Sequence, residues 1–226
     1  MLQGIPASGG FAIGKILKLE DRAIPYNKHA FRGIQAEQRR YESALHTFTR
    51  QTESAVGALR RIVGKEEADI FTGHIYMAHD PDIQKHIKEK IAGGFNAELA
   101  MESACDSVID MFLHADSDIT KQRAADVRDV KQSLLRILTD TDTRTKEIPF
   151  GTVIAARELT PSAVHFMQRR RTVAAVAEEG KRGCHFAVLV RAMGIPAVLS
   201  VKRLMQSVQN GDKVIVDGNK GEVIEI

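Results

Sequence analysis

The spacing of apolar residues divides the chain into strand-like ends and a helical middle. Between about residues 30 and 140, apolar side chains recur every three or four positions, and the sole proline of that stretch is Pro81. This period is that of amphipathic helices. The pattern predicts helices over about residues 30–63, 65–79, 82–92, 96–114 (with Asn96 as N-cap) and 119–138.

The two ends of the chain carry the short apolar runs and partial alternation of strands. Strands are predicted over residues 11–19, 152–156, 172–177 and 197–201, with a terminal hairpin of 213–216 and 222–226 around Asp217–Gly221. A short helix is predicted from Thr160, its N-cap, to about Met167.

This order of elements predicts a fold class of α/β plus all-α. One α/β domain would be built from both chain ends, residues 1–22 and 145–226, and a helical bundle of residues 23–144 would be inserted into it. The connections are expected near residues 21–30 and 141–149, because residues 140–146 have the composition of a linker.

The composition of the chain argues against several classes of protein. The net charge of +3 and an aromatic content of 5% do not favour nucleic-acid binding. Cys105 and Cys184 lie in unrelated contexts and indicate a reducing compartment rather than a disulfide scaffold. No signal peptide, and no apolar run of the roughly 20 residues that span a membrane, is found, so a cytoplasmic location is predicted.

The strongest candidate site is the stretch Glu179–Met193. A glycine-rich basic loop leads into an apolar helix-forming run that Gly194 and Pro196 would end. His185 falls where the first amides of that helix lack partners, and such a terminus attracts anions. Phosphoryl chemistry at His185 is one interpretation, and a histidine without a chemical role is the other. A Cys184–His185 nucleophile pair is disfavoured, because adjacent helical residues point about 100° apart.

Further motifs occur in a recognisable order: Gly4–Gly14, Asp69–Met77 followed by Asp80–Asp82, Arg123–Val130, Glu158–Ser162 and Val214–Gly221. Over nearly all of its length the chain resembles the amino-terminal half of enzyme I, the phosphoenolpyruvate–protein phosphotransferase of the bacterial sugar phosphotransferase system. The resemblance implies a swivelling phosphohistidine α/β domain and an inserted helical domain that docks the carrier protein HPr.

The resemblance also implies site residues. His185 would be the phosphohistidine, and its phosphoryl group would be bound by Lys181, Arg182, Gly183 and Cys184. The HPr-facing residues would be Glu66, Glu67, Ile70, His74, Met77 and Asp82, with the glutamates offering acidic charge to a basic carrier. For Ile70, Phe71 and Met77 a purely structural role in the helical core is the alternative. The structural role is favoured for Phe71, whereas for His74 and Met77 both roles are equally open.

The sequence departs from the family around the histidine. Members usually read Gly-Gly-x-Thr-Ser-His, whereas Gly183 and Cys184 replace both hydroxyl residues here, Phe186 replaces a small residue, and Val164 stands where a threonine usually bonds the ring. These changes leave two alternatives open: a degenerate, non-catalytic HPr-binding regulatory domain, or the equivalent domain of a multidomain phosphoryl-transfer protein of the dihydroxyacetone kinase type.

Family members continue into a barrel that binds phosphoenolpyruvate and Mg²⁺ and forms the dimer. For the present residues the resemblance therefore implies no cofactor and no metal, with Mg²⁺ and a homodimer expected only where such a C-terminal domain is joined.

Overall fold

The computed structural model describes residues 1–19, 24–141, 149–170 and 172–226. Its strands, in chain order, are β1 (Leu2–Gln3), β2 (Ile5–Ser8), β3 (Phe11–Leu19), β4 (Thr152–Ala156), β5 (Thr172–Ala177), β6 (Ala197–Leu199), β7 (Lys213–Asp217) and β8 (Glu222–Glu225). Its helices are α1 (Ile34–Leu59), α2 (Lys65–Ala78), α3 (Pro81–Ala92), α4 (Ala97–Leu113), α5 (Asp118–Leu138), α6 (Pro161–Arg170), α7 (His185–Ala192) and α8 (Leu204–Ser207).

The chain divides into two compact units. The first consists of Met1–Arg22, Leu59–Glu67 and Arg144–Ile226, and the second of Ala23–Ala58 and Ala68–Thr143. Residues 142–146 of the predicted linker, and residues 21–23 of the predicted connection at residues 21–30, lie outside the described residues. None of the described helices is long and apolar enough to cross a membrane.

The first unit contains a mixed sheet with the strand order β1-β8-β7-β3-β4-β5-β6-β2. Strands β3, β4, β5 and β6 are parallel neighbours, and the remaining pairs are antiparallel. Strands β1 and β2 are the two outermost strands of that order, yet in the chain only Gly4 separates them. The sheet is therefore curled until its two edge strands adjoin. A side chain at Gly4 would collide with the Leu199 carbonyl oxygen, 2.5 Å from the ideal Cβ position.

Both faces of the central strands are covered, as parallel sheets require. Val153 and Val176 belong to a buried cluster with Leu204 and Val208, whereas Ile154 points to the opposite face by strand alternation and is also fully buried. Helices α6 and α7 contact each other and contribute large buried side chains, namely Val164, Met167, Phe186 and Leu189.

The second unit is a helical bundle in which α4 packs against both α3 and α5. Its core includes Tyr41, Ile87, Met101 and Leu134. Two helix starts are capped by side chains that the sequence supplies locally. Asp80 accepts from the amides of Asp82 and Ile83, and Asn96 accepts from the Leu99 amide at 2.9 Å.

The predicted fold class is confirmed, and most predicted elements lie within a few residues of the observed ones. Helix α1 is shorter than predicted at both ends, because Gly33 has φ of 97° before its start and a tight turn onto the Leu59 carbonyl follows its end. Strand β6 ends two residues early, because Ser200 adopts φ of 56°. The short elements β1, β2 and α8 lack a periodicity long enough to predict them.

Candidate phosphoryl-transfer site

His185 lies at the first position of α7, after the loop that follows the carboxyl end of β5. The side chain of His185 is exposed, whereas that of the next residue, Phe186, is 1% exposed. Phe186, which replaces a small residue of the family, therefore anchors the start of the helix in the core. In both open and closed α/β sheets, ligands bind outside the carboxyl ends of the parallel strands, and His185 occupies such a position.

The loop Gly180–Cys184 is held through three successive carbonyl groups. Ser200 Oγ donates to the Gly180 oxygen at 2.6 Å, and the Cys184 amide donates to the Lys181 oxygen at 3.0 Å. Arg191 Nη1 donates to the Arg182 oxygen at 3.0 Å. The loop is thus tied both to α7 and to the segment after β6.

The amino terminus of α7 presents unsatisfied amides. The first bond of the helical ladder runs from the Val188 amide to the Cys184 carbonyl at 3.2 Å, and Cys184 makes no side-chain capping bond. The first-turn amides of Phe186 and Ala187 consequently have no acceptor within the helix. Together with the helix dipole they favour an anion beside His185.

Basic residues are present in the loop before this terminus and in two neighbouring segments. Arg157 Nε pairs with Glu179 Oε1 at 2.8 Å, which neutralises the acidic residue nearest the loop. Lys181 and Arg182 are exposed. Two more exposed cations, Lys202 and Arg203, come two and three residues after Ser200, whose hydroxyl contacts the loop. Sequence reasoning missed Ser200, which falls inside the predicted strand 197–201. It also missed Lys202 and Arg203, although their position directly after that predicted strand was an available signal.

The departures from the family pattern have different structural consequences. Val164 is fully buried in α6, so the missing threonine is replaced by core packing. A Cβ atom at Gly183 would meet no other atom within 4 Å. The hydroxyl residue usual at Gly183 is therefore not excluded by lack of space.

The predicted carrier-facing residues differ in accessibility. Glu66, in the first turn of α2, and Asp82, in the first turn of α3, are exposed, whereas Glu67, Ile70 and Met77 are half-buried. Met77 packs partly against the bundle core, and Phe71 is buried at 3% exposure, which is the structural role favoured for it. Tyr76, which sequence reasoning missed, is 73% exposed on α2, and exposed aromatic side chains are frequent anchors of protein interfaces.

His74 is buried at 4% exposure. Its Nε2 atom lies 3.6 Å from Asp126 Oδ1, and its Nδ1 atom lies 3.8 Å from Asp129 Oδ2. Both carboxylates come from α5 and are buried as well. This arrangement favours the structural role for His74, because a side chain between two buried carboxylates is out of reach of a docking partner. Among the described residues no cluster of His, Cys, Asp or Glu side chains is placed to hold a metal ion.

Two families of known proteins match the chain, and their matches together include residues of both units. The family described as "PEP-utilising enzyme, N-terminal" matches residues 3–123, and the one described as "PEP-utilising enzyme, mobile domain" matches residues 148–221, a range that contains His185. The chain belongs to the PEP-utilising enzyme family.

Relatives within this family are named phosphoenolpyruvate-protein phosphotransferase. The one from Priestia megaterium is 37% identical over 99% of this chain and 39% of its own length, and that from Geobacillus stearothermophilus is 36% identical over the same shares. The chain thus spans about two fifths of the length of these curated relatives. A solution structure of enzyme I matches the whole chain and 92% of its own, with a TM-score of 0.74 and 28% identity. The amino-terminal domain of a nitrogen enzyme I has the same fold, with a TM-score of 0.68 and 24% identity.

The two thiols are expected to differ sharply in reactivity. Burial in the bundle raises the pKa of Cys105 to about 12, whereas Cys184 is partly exposed at the start of α7. Since the thiolate is the reactive form, one thiol per chain should react with Ellman's reagent at pH 8 under native conditions and two in denaturant. Cys184→Ser should abolish the native reaction and Cys105→Ser should leave it unchanged; a native reaction that survives Cys184→Ser would contradict the burial of Cys105.

Proposed function

We propose that this chain is the phosphohistidine and carrier-binding part of a phosphoenolpyruvate–protein phosphotransferase, with His185 as the residue that carries the phosphoryl group. The observation that supports it most directly is the exposed His185 at an uncapped, cation-flanked helix terminus within the range that matches the mobile domain. In this proposal the α/β domain of residues 1–22 and 145–226 carries the histidine, and residues 23–144 bind the carrier.

The proposed step is a displacement at phosphorus. A lone pair of the neutral His185 imidazole attacks the phosphoryl group of a phosphohistidine on an HPr-like carrier, and a new N–P bond forms. The N–P bond of the carrier breaks, and its electron pair returns to the carrier imidazole. The reverse reaction loads the carrier. In the longer relatives the donor would be phosphoenolpyruvate, whose O–P bond breaks to leave the enolate of pyruvate.

The chain's own groups would stabilise the charge that is transferred. Phosphoryl transfer depends on positioning and on electrostatic stabilisation of the equatorial oxygens. Lys181 and Arg182 supply positive charge, and the amides of Gly183, Phe186 and Ala187 supply donors at the helix start. Cys184 contributes through its backbone as the N-cap residue, since its side chain makes no capping bond.

The carrier would dock on the accessible residues of α2 and of the start of α3. Glu66, Glu67 and Asp82 offer negative charge to a basic carrier surface, which speeds encounter. Tyr76 offers an exposed aromatic contact, and Ile70, earlier on the same helix, is half-buried. Met77 remains a candidate at the edge of this surface.

The proposal is tested by incubation with phosphorylated HPr followed by intact-mass analysis. The wild-type chain should gain the mass of one phosphoryl group, and the adduct should disappear in acid as phosphohistidine does. His185→Ala should show no gain, whereas His46→Ala, which alters an exposed histidine on α1, should be labelled like the wild type. Equal labelling of His185→Ala and the wild type would refute the assignment.

A second function, carrier binding without transfer, is favoured by the absence of both hydroxyl residues before His185 and by the buried Val164. Its signature would be saturable HPr binding with no label on His185 after long incubation. The labelling experiment therefore separates the two functions directly.

A further inference from the structure

We infer that Ser200 and Arg191 are positioning residues that hold the loop Gly180–Cys184 with its amides turned toward the phosphoryl group, in place of the hydroxyl side chains usual in the family. The inference rests on the proposed function for its role, although the geometry of the loop stands independently of it. Neither residue was part of the site predicted from sequence.

The argument begins with the direction of the peptide groups. In a trans peptide the carbonyl of one residue and the amide N–H of the next point in opposite directions. Because the carbonyls of Gly180, Lys181 and Arg182 accept from Ser200, the Cys184 amide and Arg191, the next three amides point away from these donors. Those amides belong to Lys181, Arg182 and Gly183, and none of them donates to another group in the described part of the chain.

Successive free amides of this kind form anion-binding concavities. They lie immediately before the uncapped start of α7 and His185. The loop thus offers backbone donors where family members offer threonine and serine hydroxyls, and its usefulness depends on how firmly the carbonyl side is held.

The backbone of Ser200 adopts a conformation that is unfavourable for serine, and its side chain makes a specific hydrogen bond. It has φ of 56°, a region that is unfavourable for residues other than glycine, asparagine and aspartate. A glycine would adopt that conformation without strain, but it could not donate the 2.6 Å hydrogen bond to the Gly180 carbonyl. Gly180 itself has φ of 122°, and a side chain there would press on Leu199, with the ideal Cβ position 3.1 Å from Leu199 Cδ1. The observed geometry of the loop therefore depends on a serine at position 200 and a glycine at position 180.

Arg191, on α7, holds the loop at a second carbonyl group. It lies on α7 near the end of the helix, and its Nη1 atom reaches back to the Arg182 carbonyl at 3.0 Å and to the carbonyl of the buried Ala7 in β2 at 3.4 Å. One guanidinium thus fixes the loop to the edge strand of the sheet. Both bonds come from the one Nη1 atom, and a lysine ammonium, which has three donors on a shorter side chain, could keep part of this contact.

The experiment is an amide-resolved NMR titration of the ¹⁵N-labelled chain with inorganic phosphate. In the wild type the resonances of Lys181, Arg182 and Gly183 should shift saturably. Ser200→Ala and Arg191→Gln should each weaken phosphate binding by about three- to tenfold, the size of one hydrogen bond, and Arg191→Lys should recover part of the loss. Ser207→Ala on the neighbouring segment and Lys213→Gln, which alters an exposed cation at the start of β7, are the controls and should bind like the wild type. If Ser200→Ala does not fold, Ser200→Gly removes the hydroxyl without the left-handed strain.

Single-turnover labelling by phosphorylated HPr on the same samples gives the second measurement. The maximal transfer rate should fall in Ser200→Ala and Arg191→Gln while the half-saturating carrier concentration stays constant, because positioning and docking are separate. The inference would be overturned if both variants bound phosphate with the affinity of the wild type. It would also be overturned if phosphate did not shift the amide resonances of Lys181, Arg182 and Gly183 in the wild type. A wild type that binds phosphate through these amides but takes no label would retain the inference and remove the proposed function.

Discussion

Glu37→Ala is expected to destabilise the helical unit by about 3 to 5 kcal/mol, the cost of breaking a buried, hydrogen-bonded charge pair. Glu37 is fully buried and accepts from the amides of Arg32 and Ala97, both at 3.0 Å, and from Arg40 Nη1 at 2.6 Å. Arg40 in turn pairs with Glu98 on α4. The substitution would leave a buried amide without an acceptor and a guanidinium without half of its charge partners.

The same carboxylate gives the stability of this unit a defined pH dependence. Burial by itself would raise the pKa of Glu37, but the hydrogen bonds from Ala97, Arg32 and Arg40 together lower it below 4.5. A lowered folded-state pKa means that the carboxylate's contribution is fully present above the unfolded pKa and is lost as pH falls through the folded value. The wild type should therefore lose stability more steeply than Glu37→Gln below about pH 4.3.

Urea unfolding followed by tyrosine fluorescence measures both effects, because all three tyrosines lie in the helical unit and the chain has no tryptophan. Glu42→Gln, which alters an exposed glutamate on the same helix, is the control and should stay within about 0.5 kcal/mol of the wild type. Parallel pH profiles for the wild type and Glu37→Gln would show that Glu37 is not held as described.

Gly14→Ala is expected to cost the α/β unit about 3 kcal/mol or more, although it adds one methyl group. The ideal Cβ position at Gly14 lies 2.2 Å from the carbonyl oxygen of Gly151. Strand β3 is hydrogen-bonded to β7 on one side and β4 on the other, with Gly14 opposite Val214 and Lys15 opposite Thr152. The backbone cannot move away from the clash without breaking one of these ladders.

The control for this substitution is Gly183→Ala, in the same unit, where a Cβ would meet nothing within 4 Å. It should change stability by no more than about 0.5 kcal/mol. Hydrogen exchange measured on peptides from β3, β4 and β7 reports the stability of the sheet, which the tyrosines do not. Protection in Gly14→Ala equal to that in the wild type would contradict the close approach of Gly151.

Much of the site was predictable because its signals are local. The glycine-rich loop, the apolar run after it and Gly194 are within a few residues of one another, and they predicted that a helix begins at His185, as it does. The asparagine cap of α4 and the hairpin of β7 and β8 were predictable for the same reason. The order of motifs along the chain indicated the family that the comparisons confirm.

The residues that the prediction missed, or left open between two roles, depend on contacts between distant segments. Ser200 is 20 residues from Gly180, and only the parallel pairing of β5 with β6 brings the two together. His74 had two equally supported roles until α5 placed Asp126 and Asp129 beside it. Periodicity reports which face of a helix is apolar, but it does not report which partner covers that face.

The sequence by itself determined that the chain has strand-like ends and a helical middle, that a helix starts at His185, and to which family the chain belongs. These features could be predicted because periodicity, capping residues and short motifs act over one or two turns of backbone. Only the tertiary structure decided that Gly4 joins the two edges of the sheet, that Arg191 and Ser200 hold the loop Gly180–Cys184, and that His74 is buried. Those outcomes follow from the pairing register and packing of residues far apart in sequence, where hydrogen bonds and excluded volume act between segments whose separation no local pattern encodes.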